Sequence, residues 1–203
     1  MDRDFEYGRH NPVLAAGEAI LWHGKPKRST FIATKSLTLL PVAIIWLCFD
    51  SVFLMQALNG NGPWFLIPFL MLHMMPVWLW LGNVITAGRR WKNTGYYVTN
   101  RRIIIQSGFL AVNEQSLFYK DIRNVQIRIG FLDKIFGTGD ILLDMGTVNT
   151  KGYPIYAKLE DLENPRQIYH RVQKITLDMQ TDMEFPNAYR PQENPGYQTQ
   201  YRP

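Results

Sequence analysis

The chain has 203 residues, a formal net charge of +5 and a single cysteine, Cys48. One cysteine excludes an intramolecular disulfide framework and any metal site built on cysteine pairs. The positive charge does not indicate nucleic-acid binding, because its excess flanks two long apolar runs, where membrane topology alone accounts for it.

Residues 1–36 are predicted to form a cytoplasmic N-terminal segment that contains one short strand. Glu18–Gly24 has the composition of a strand, and Gly24, Lys25 and Pro26 form a turn signal after it. This strand is expected to add an edge to a later sheet or to lie at a membrane surface. No apolar core of a cleavable signal precedes it, so the first apolar run is expected to act as its own signal anchor.

Two apolar runs dominate the next part of the chain. Leu37–Leu58 contains one ionisable residue, Asp50, and Pro63–Ala87 also contains one, His73. Each run exceeds the ~20 residues that an α-helix needs to cross a hydrocarbon core of ~30 Å. Asn59–Gly62 reads as a tight turn, so residues 37–88 are predicted to form a transmembrane helical hairpin. The alternative, two core helices of a soluble protein, fits poorly with the tryptophans in and beside both runs.

The basic residues indicate the orientation of this hairpin. They flank the two runs, whereas the turn between the runs has none, so both termini are predicted to be cytoplasmic in a multi-pass protein of the inner or plasma membrane. We call these residues the basic collar: Lys25, Lys27, Arg28, Lys35, Arg89, Arg90 and Lys92.

Asp50 and His73 are expected to form an intramembrane polar pair. Both lie at a similar distance from the turn, so an antiparallel hairpin places them at the same depth. Ionisable groups within a membrane are costly and are usually paired or functional. One interpretation is a proton- or ligand-linked pair, and the other is a structural contact between helices or with a partner subunit. Pro68 and Pro76 are expected to kink the second helix and to free carbonyls that His73 could also satisfy.

Residues 94–178 show the two-residue period of β-strands, followed by one helical pattern. The predicted strands are Gly95–Thr99, Arg102–Ser107, Glu114–Tyr119, Asp121–Ile129, Asp140–Asp144 and Pro154–Leu159. Phe131–Phe136 is expected to form a short helix or turn that ends at Gly137, and Met145–Tyr153 a hairpin loop. In Pro154–Leu159 the side chains of Ile155, Ala157 and Leu159 are predicted to point inward.

A single amphipathic helix is predicted to close this domain. Asn164 is a suitable N-cap, Pro165 occupies the first helical position, and Gln167 completes a start that resembles a capping box. An apolar stripe then follows at helical spacing and is expected to face the sheet. Its residues are Ile168, Val172, Ile175 and Met179.

Several segments resemble the bacterial membrane-anchored PH-like domain family. They are Tyr-Tyr-Val-Thr-Asn-Arg-Arg-Ile at 96–103, Ile-Gln-Ser-Gly-Phe-Leu at 105–110, Asp-Ile-Arg-Asn-Val-Gln-Ile-Arg at 121–128, Phe-Gly-Thr-Gly-Asp-Ile at 136–141 and Asn-Pro-Arg-Gln-Ile-Tyr at 164–169. The resemblance covers about residues 18–178 and implies a PH-like fold, a bent antiparallel sheet capped by one C-terminal helix. The fold class is therefore an α+β membrane protein. This fold hosts lipid, peptide and oligomeric binding, so the resemblance does not choose among them.

Residues 179–203 are rich in proline, glutamine, asparagine and tyrosine and are predicted to be a disordered tail. Tyr189, Arg190 and Pro191 recur as Tyr201, Arg202 and Pro203. The repeat is either a pair of docking motifs or a product of biased composition.

Three functions remain open. The first is a non-enzymatic module whose PH-like domain assembles with protein, as a homo-oligomer or with another membrane protein. The second is binding of anionic phospholipid head groups, for which Arg101, Arg102 and Lys120 are candidate head-group or partner contacts beyond the basic collar. The third is a membrane enzyme or transporter component that uses Asp50 and His73. No motif indicates a cofactor, a metal site or a catalytic constellation, so the first is the prediction, with membrane lipids as the surroundings.

Overall fold

The structure is a computed structural model that describes residues 11–60 and 63–184. The chain divides into two compact units. The helical unit comprises residues 31–89, and the sheet unit comprises the segments before and after it. Asn61, Gly62 and the tail residues Tyr189, Arg190, Tyr201 and Arg202 lie outside the described residues.

The helical unit is built from three helices. They are α1 (Arg28–Leu58), α2 (Leu66–His73) and α3 (Met75–Lys92). Helix α1 begins before the first apolar run, and α3 ends after the second. The polar residues 28–36 continue the helix because they include no glycine or proline, and Phe31 within them is buried.

Among the described residues, α1 is the one helix that is long and apolar enough to cross a membrane by itself. The second predicted span is interrupted at Met74, where α2 and α3 meet at a bend of 50°. The bend lies beside Pro76, one of the two prolines that were predicted to kink the second helix, whereas Pro68 lies within α2. The predicted hairpin of two spanning helices is therefore not confirmed by the helices alone. Pro76 has no N–H for the carbonyl of Leu72, which removes one bond of the helical ladder at the bend.

Polar side chains of α3 bond to backbone carbonyls of α1. The indole N–H of Trp80 donates to the carbonyl of Ser36 at 2.9 Å. The side-chain amide of Asn83 donates to the carbonyl of Lys35. Higher residue numbers in α3 meet lower ones in α1, so these two helices run antiparallel.

The sheet unit contains two antiparallel sheets. The first has the order β1 (Ile20–Gly24), β2 (Gly95–Thr99), β3 (Arg102–Ser107) and β4 (Asn113–Phe118). The second has the order β5 (Asn124–Arg128), β6 (Thr138–Val148) and β7 (Pro154–Glu163). A single 3-10 turn, Tyr119–Asp121, connects β4 to β5, and α4 (Phe131–Phe136) connects β5 to β6. The segment before α1 supplies β1, which pairs with β2 as an edge strand.

Strands β6 and β7 are longer than their sequence patterns predicted. β6 continues through Met145 to Val148, where a loop was predicted, because it pairs with β7 beyond the alternating segment. Ile155 is 50% exposed, so the prediction that it points inward was wrong. Its position near the end of the β6–β7 hairpin lies outside the buried core, whereas Leu159 is fully buried.

Helix α5 (Pro165–Glu184) closes the core of the sheet unit. Val172 and Met179 are buried and Ile168 and Ile175 pack beside them, which confirms the predicted stripe. The predicted end at residue 178 was too early, because Met179 is a core residue and Gln180 donates to the carbonyls of Tyr119 and Ile122 at 3.1 and 2.7 Å. These contacts hold the last turns of the helix against the 3-10 turn.

Candidate functional site

Asp50 of α1 and His73 of α2 are in contact. His73 Nδ1 lies 3.0 Å from Oδ1 and 3.1 Å from Oδ2 of Asp50. The Asp50 side chain is 2% exposed, whereas that of His73 is 30% exposed. The structure therefore brings together the two residues that the sequence singled out. Whether the pair has a function beyond this contact remains a prediction.

Indole groups satisfy carbonyls at the bend between α2 and α3. Trp46 Nε1 donates to the carbonyl of His73 at 2.8 Å, and Trp78 Nε1 donates to that of Met71 at 2.9 Å. The sequence suggested that His73 could serve such carbonyls; in the structure its Nδ1 bonds to Asp50, and indole groups serve these two carbonyls. His73 is thus bound to α1 twice, through its ring and through its backbone.

An apolar groove of about 510 Å³ opens beside this pair. Its walls come from all three helices of the helical unit and include Leu39, Val42, Trp46, Phe69, His73 and Leu79. The His73 ring is stacked on Phe69, with centroids 5.1 Å apart and planes 20° apart, and lies 5.3 Å from the nearer Trp46 ring centroid. The sequence does not reveal this groove, because it depends on the bend.

The basic collar residues of the sheet unit have different surroundings. Lys25 and Arg28 each lie 5.6 Å from the ring centroid of Trp91, whose Nε1 donates to the carbonyl of Pro26 at 2.7 Å. Lys27 instead donates to the carbonyl of Phe136 at 3.0 Å and pairs with Glu163 at 3.3 Å. Arg90 is half-buried and Lys92 is exposed. Lys27 is therefore a structural contact. Lys25, Arg28 and Trp91 form a cationic cluster, which we call the Trp91 group.

Two basic collar residues belong to the helical unit. The Lys35 ammonium lies 5.3 Å from the ring centroid of Phe31, and Arg89 is exposed. Lys35 lies on α1 itself and not, as predicted, on a segment that precedes the first helix.

Arg102 was a candidate for head-group binding, but the structure commits it to an internal ion pair. Its Nε lies 3.0 Å from Oε1 of Glu18 and its Nη2 lies 3.1 Å from Oε2. The same guanidinium donates to the carbonyl of Val13 at 2.7 Å and to Ser116 Oγ at 2.8 Å. Arg101 and Lys120 are exposed and remain candidates. The sequence gives no sign of the Glu18 partner, which is 84 positions away along the chain.

Glu18 accepts hydrogen bonds from more than Arg102. The Thr99 hydroxyl donates to Oε1 at 2.7 Å and the backbone N–H of Ala15 donates to Oε2 at 2.8 Å. Burial alone would raise the pKa of Glu18, but the hydrogen bonds from Arg102, Ala15 and Thr99 outweigh it and hold the pKa below its usual value. The group fastens the segment before β1 to strands β2 and β3.

Three carboxylates that the sequence left scattered come together beside α4. Oxygens of Asp133, Asp140 and Asp161 lie within 4.8 Å of one another. Asp133 accepts from the N–H of Gly130 at 2.8 Å, and this bond caps the start of α4. It also accepts from the hydroxyl of Thr138 at 2.9 Å. Asp140 accepts from the N–H of Asp161 at 2.9 Å. Burial, with the charges of Asp133 and Glu160, raises the pKa of Asp140. These hydrogen bonds account for the cluster as a structural feature.

Comparison with models of protein families identifies the family of this chain. A family model described as the bacterial PH domain matches residues 37–176, which includes both apolar runs. The chain belongs to the bacterial PH domain family. The two antiparallel sheets and the closing helix α5 are the PH-like part of this member.

Other comparisons add little. A solved structure of a DUF1696 family protein with a pleckstrin-homology domain from Shewanella loihica PV-4 shares 17% identity and has a TM-score of 0.29. The match covers 42% of this chain and 69% of that chain. No curated protein matches the sequence. The family assignment of this bacterial PH domain protein therefore rests on the family model.

Substitution of Glu18 by glutamine tests the internal ion pair. We expect Glu18→Gln to lower the free energy of unfolding at neutral pH by about 2–4 kcal/mol, because Arg102 loses a buried charged partner. Since the pKa of Glu18 is lowered, its contribution is present above the unfolded pKa and is lost as the pH falls through the folded value. The difference between wild type and variant should therefore shrink below about pH 4. Denaturant unfolding of the full chain in mild detergent between neutral and acidic pH measures it.

The matched control is Glu163→Gln, which breaks the exposed pair with Lys27. Its cost should stay below about 1 kcal/mol. A Glu18→Gln cost that is equally large at acidic and neutral pH would contradict the assigned role of the charge.

A double-mutant cycle tests the coupling of Asp50 and His73. Asp50→Asn and His73→Gln should show a non-additive term of about 0.5–2 kcal/mol in detergent, because each residue is the side-chain partner of the other. The control cycle pairs Asp50→Asn with Thr86→Ala, since Thr86 bonds within α3 to Gly82. Additivity in both cycles would show that the contact contributes no stability.

Proposed function

We propose that this protein is a non-enzymatic integral membrane protein. Its helices anchor a cytoplasmic PH-like domain that assembles with protein at the membrane, as an oligomer or as an accessory subunit of a membrane complex. The proposal assigns no catalytic step to Asp50 and His73, and takes their contact as a structural bond between α1 and α2.

The surface of the helical unit supports membrane anchoring. Only 11% of the most apolar window of α1 is buried within the protein. Large apolar side chains such as Ile45, Met55, Leu72 and Ile85 are 66–77% exposed. Large apolar side chains that are exposed in this number are costly in water and favourable in hydrocarbon. We therefore place α1 as one span and the bent pair α2 and α3 as the second.

The basic collar supports the orientation. Lysine and arginine flank the apolar segments at their distant ends, whereas the turn between α1 and α2 has neither. Such asymmetry favours a cytoplasmic location for the basic side. Both termini and the sheet unit are then cytoplasmic.

The observation that carries the assembly function is an apolar pair on α4. Phe131 and Ile135 are 79% and 62% exposed and lie one helical turn apart, so they share a face. The helix is capped at both ends, because Asp133 accepts from the N–H of Gly130 at its start and Gly137 adopts the left-handed conformation at its end. Large apolar side chains on a fixed element are typical anchors of protein interfaces. We propose this pair as the docking face for a protein partner or a second copy.

Anionic phospholipid binding is the alternative, and the Trp91 group favours it. Lys25 and Arg28 both contact one tryptophan ring whose indole N–H is already bonded. Tryptophan with basic neighbours is the composition of a membrane interface, and each basic residue near an anionic leaflet contributes about 1 kcal/mol. That attraction does not distinguish one anionic head group from another. Arg102 does not add selectivity for a head group, because it is paired with Glu18.

Cysteine labelling tests the topology. In a Cys48→Ala background, a cysteine at Asn59 should react with a membrane-impermeant maleimide in intact cells, because the turn faces outward. A cysteine at Ser107, which is exposed in the sheet unit, should react only after permeabilisation. Labelling of Ser107→Cys in intact cells would overturn the orientation.

Photocrosslinking tests the assembly surface. With a benzophenone amino acid at position 131, the full chain in its native membrane should yield one discrete adduct, whose mass identifies a second copy or a partner. The same group at Ile155, which is also exposed but lies on β7, is the control and should yield none. Absence of an adduct from position 131 contradicts the proposal. Anionic lipid that is retained by wild type and lost from Lys25→Gln/Arg28→Gln in native mass spectrometry would then favour the alternative.

A further inference from the structure

Among the described residues that line the groove beside His73, the other side chains are apolar or aromatic. Its volume of about 510 Å³ lies within the range of small-molecule sites, which are mostly apolar with a few placed polar groups. His73 presents part of its ring there, since its side chain is 30% exposed whereas the bound Asp50 is buried. The groove thus has a polar group at which a ligand could be oriented.

The free atom of this ring is Nε2. Nδ1 is bonded to Asp50, and among the described residues no hydrogen bond is formed by Nε2. A pair without net charge is the least costly form in an apolar setting. In such a pair the shared proton lies either on Nδ1 or on the Asp50 carboxyl group. In both forms Nε2 also carries a proton. In that uncharged form Nε2 is an N–H donor on a ring that lines the groove, and an unsatisfied donor in hydrocarbon is costly.

The surroundings of the ring favour a flat ligand. His73 is stacked on Phe69 and lies close to Trp46, and both aromatic residues also line the groove. Aromatic faces pack well against another planar ring. A carbonyl oxygen on this ring would accept from the Nε2–H donor.

We propose that the groove binds a lipid-soluble carbonyl compound of the quinone class. One ring carbonyl oxygen accepts from Nε2–H of His73, the ring packs against Trp46 and Phe69, and the apolar substituents lie along Leu39, Val42 and Leu79. No electron or group transfer is included. The inference goes beyond the assembly function and rests on the membrane location of the helical unit, which cysteine labelling measures separately.

The depth of the site disfavours a phospholipid ester as the natural acceptor. Asp50 lies eight residues before the end of α1, which corresponds to about 12 Å along the helix. Ester carbonyls lie near the edge of a hydrocarbon core that is ~30 Å thick. A quinone ring dissolves in the core and can reach this depth.

The test compares duroquinone with durene, the same tetramethylated ring without carbonyl oxygens, on purified full-length protein in mild detergent. Binding is measured from the ligand-dependent shift of the thermal unfolding midpoint. Duroquinone should bind at least about tenfold more tightly than durene, the difference expected for one buried hydrogen bond. The full substitution of the ring prevents addition to the thiol of Cys48.

Matched variants locate the site. Val42→Trp fills the groove and should abolish the duroquinone shift, whereas Ile45→Trp places the same side chain on an exposed position of α1 outside the groove and should retain it. The double variant Asp50→Leu/His73→Phe replaces the pair by apolar groups without leaving one partner unpaired. It should bind duroquinone no better than durene.

Several results would overturn the inference. They are equal binding of duroquinone and durene by wild type, no shift with duroquinone, retention of the shift in Val42→Trp, and equal binding of methyl decanoate as an ester probe. The comparison of ligands on wild type decides the question even if a variant does not fold. If labelling still shows the predicted topology, such a result removes the ligand and leaves the membrane anchoring intact.

Discussion

The need to satisfy polar groups within apolar surroundings governs the helical unit. At the bend, Pro76 interrupts the helical ladder, and exposed carbonyls there would be costly. Trp46 and Trp78 donate to two of these carbonyls, and Asp50 bonds to the adjacent imidazole. Side chains of α1 and α3 therefore supply hydrogen bonds to backbone groups next to the bend.

The same requirement organises the sheet unit around a few buried polar side chains. Glu18 gathers donors from Arg102, Thr99 and Ala15, which attaches the N-terminal segment to the sheet. Tyr96 of β2 exchanges hydrogen bonds with the backbone of Glu160 on β7, and burial raises the pKa of its phenol. Tyr96 thus joins the two sheets at one point of the core, in a way that apolar packing alone would leave unspecified.

The residues that remain available for function after these internal hydrogen bonds are formed differ from those that the sequence suggested. Residues that looked available for binding, Arg102 and Lys27, are used within the fold. Phe131 and Ile135 did not stand out in the sequence, but they are exposed together on one face of α4. Surface exposure, rather than charge alone, therefore decides which candidates can reach a partner.

The sequence by itself determined the family, the first apolar helix, most strands of the sheet and the closing helix. These features follow from local periodicity and from short motifs, which act over a few neighbouring residues. It also singled out Asp50 and His73, because an ionisable residue in an apolar run stands out without any knowledge of its partner. Only the tertiary structure decided that Trp46 donates to the carbonyl of His73, that Arg102 pairs with Glu18 and that β6 extends to Val148. Each of these depends on groups far apart in the chain, and a local pattern carries no information about which distant group will supply the missing hydrogen bond.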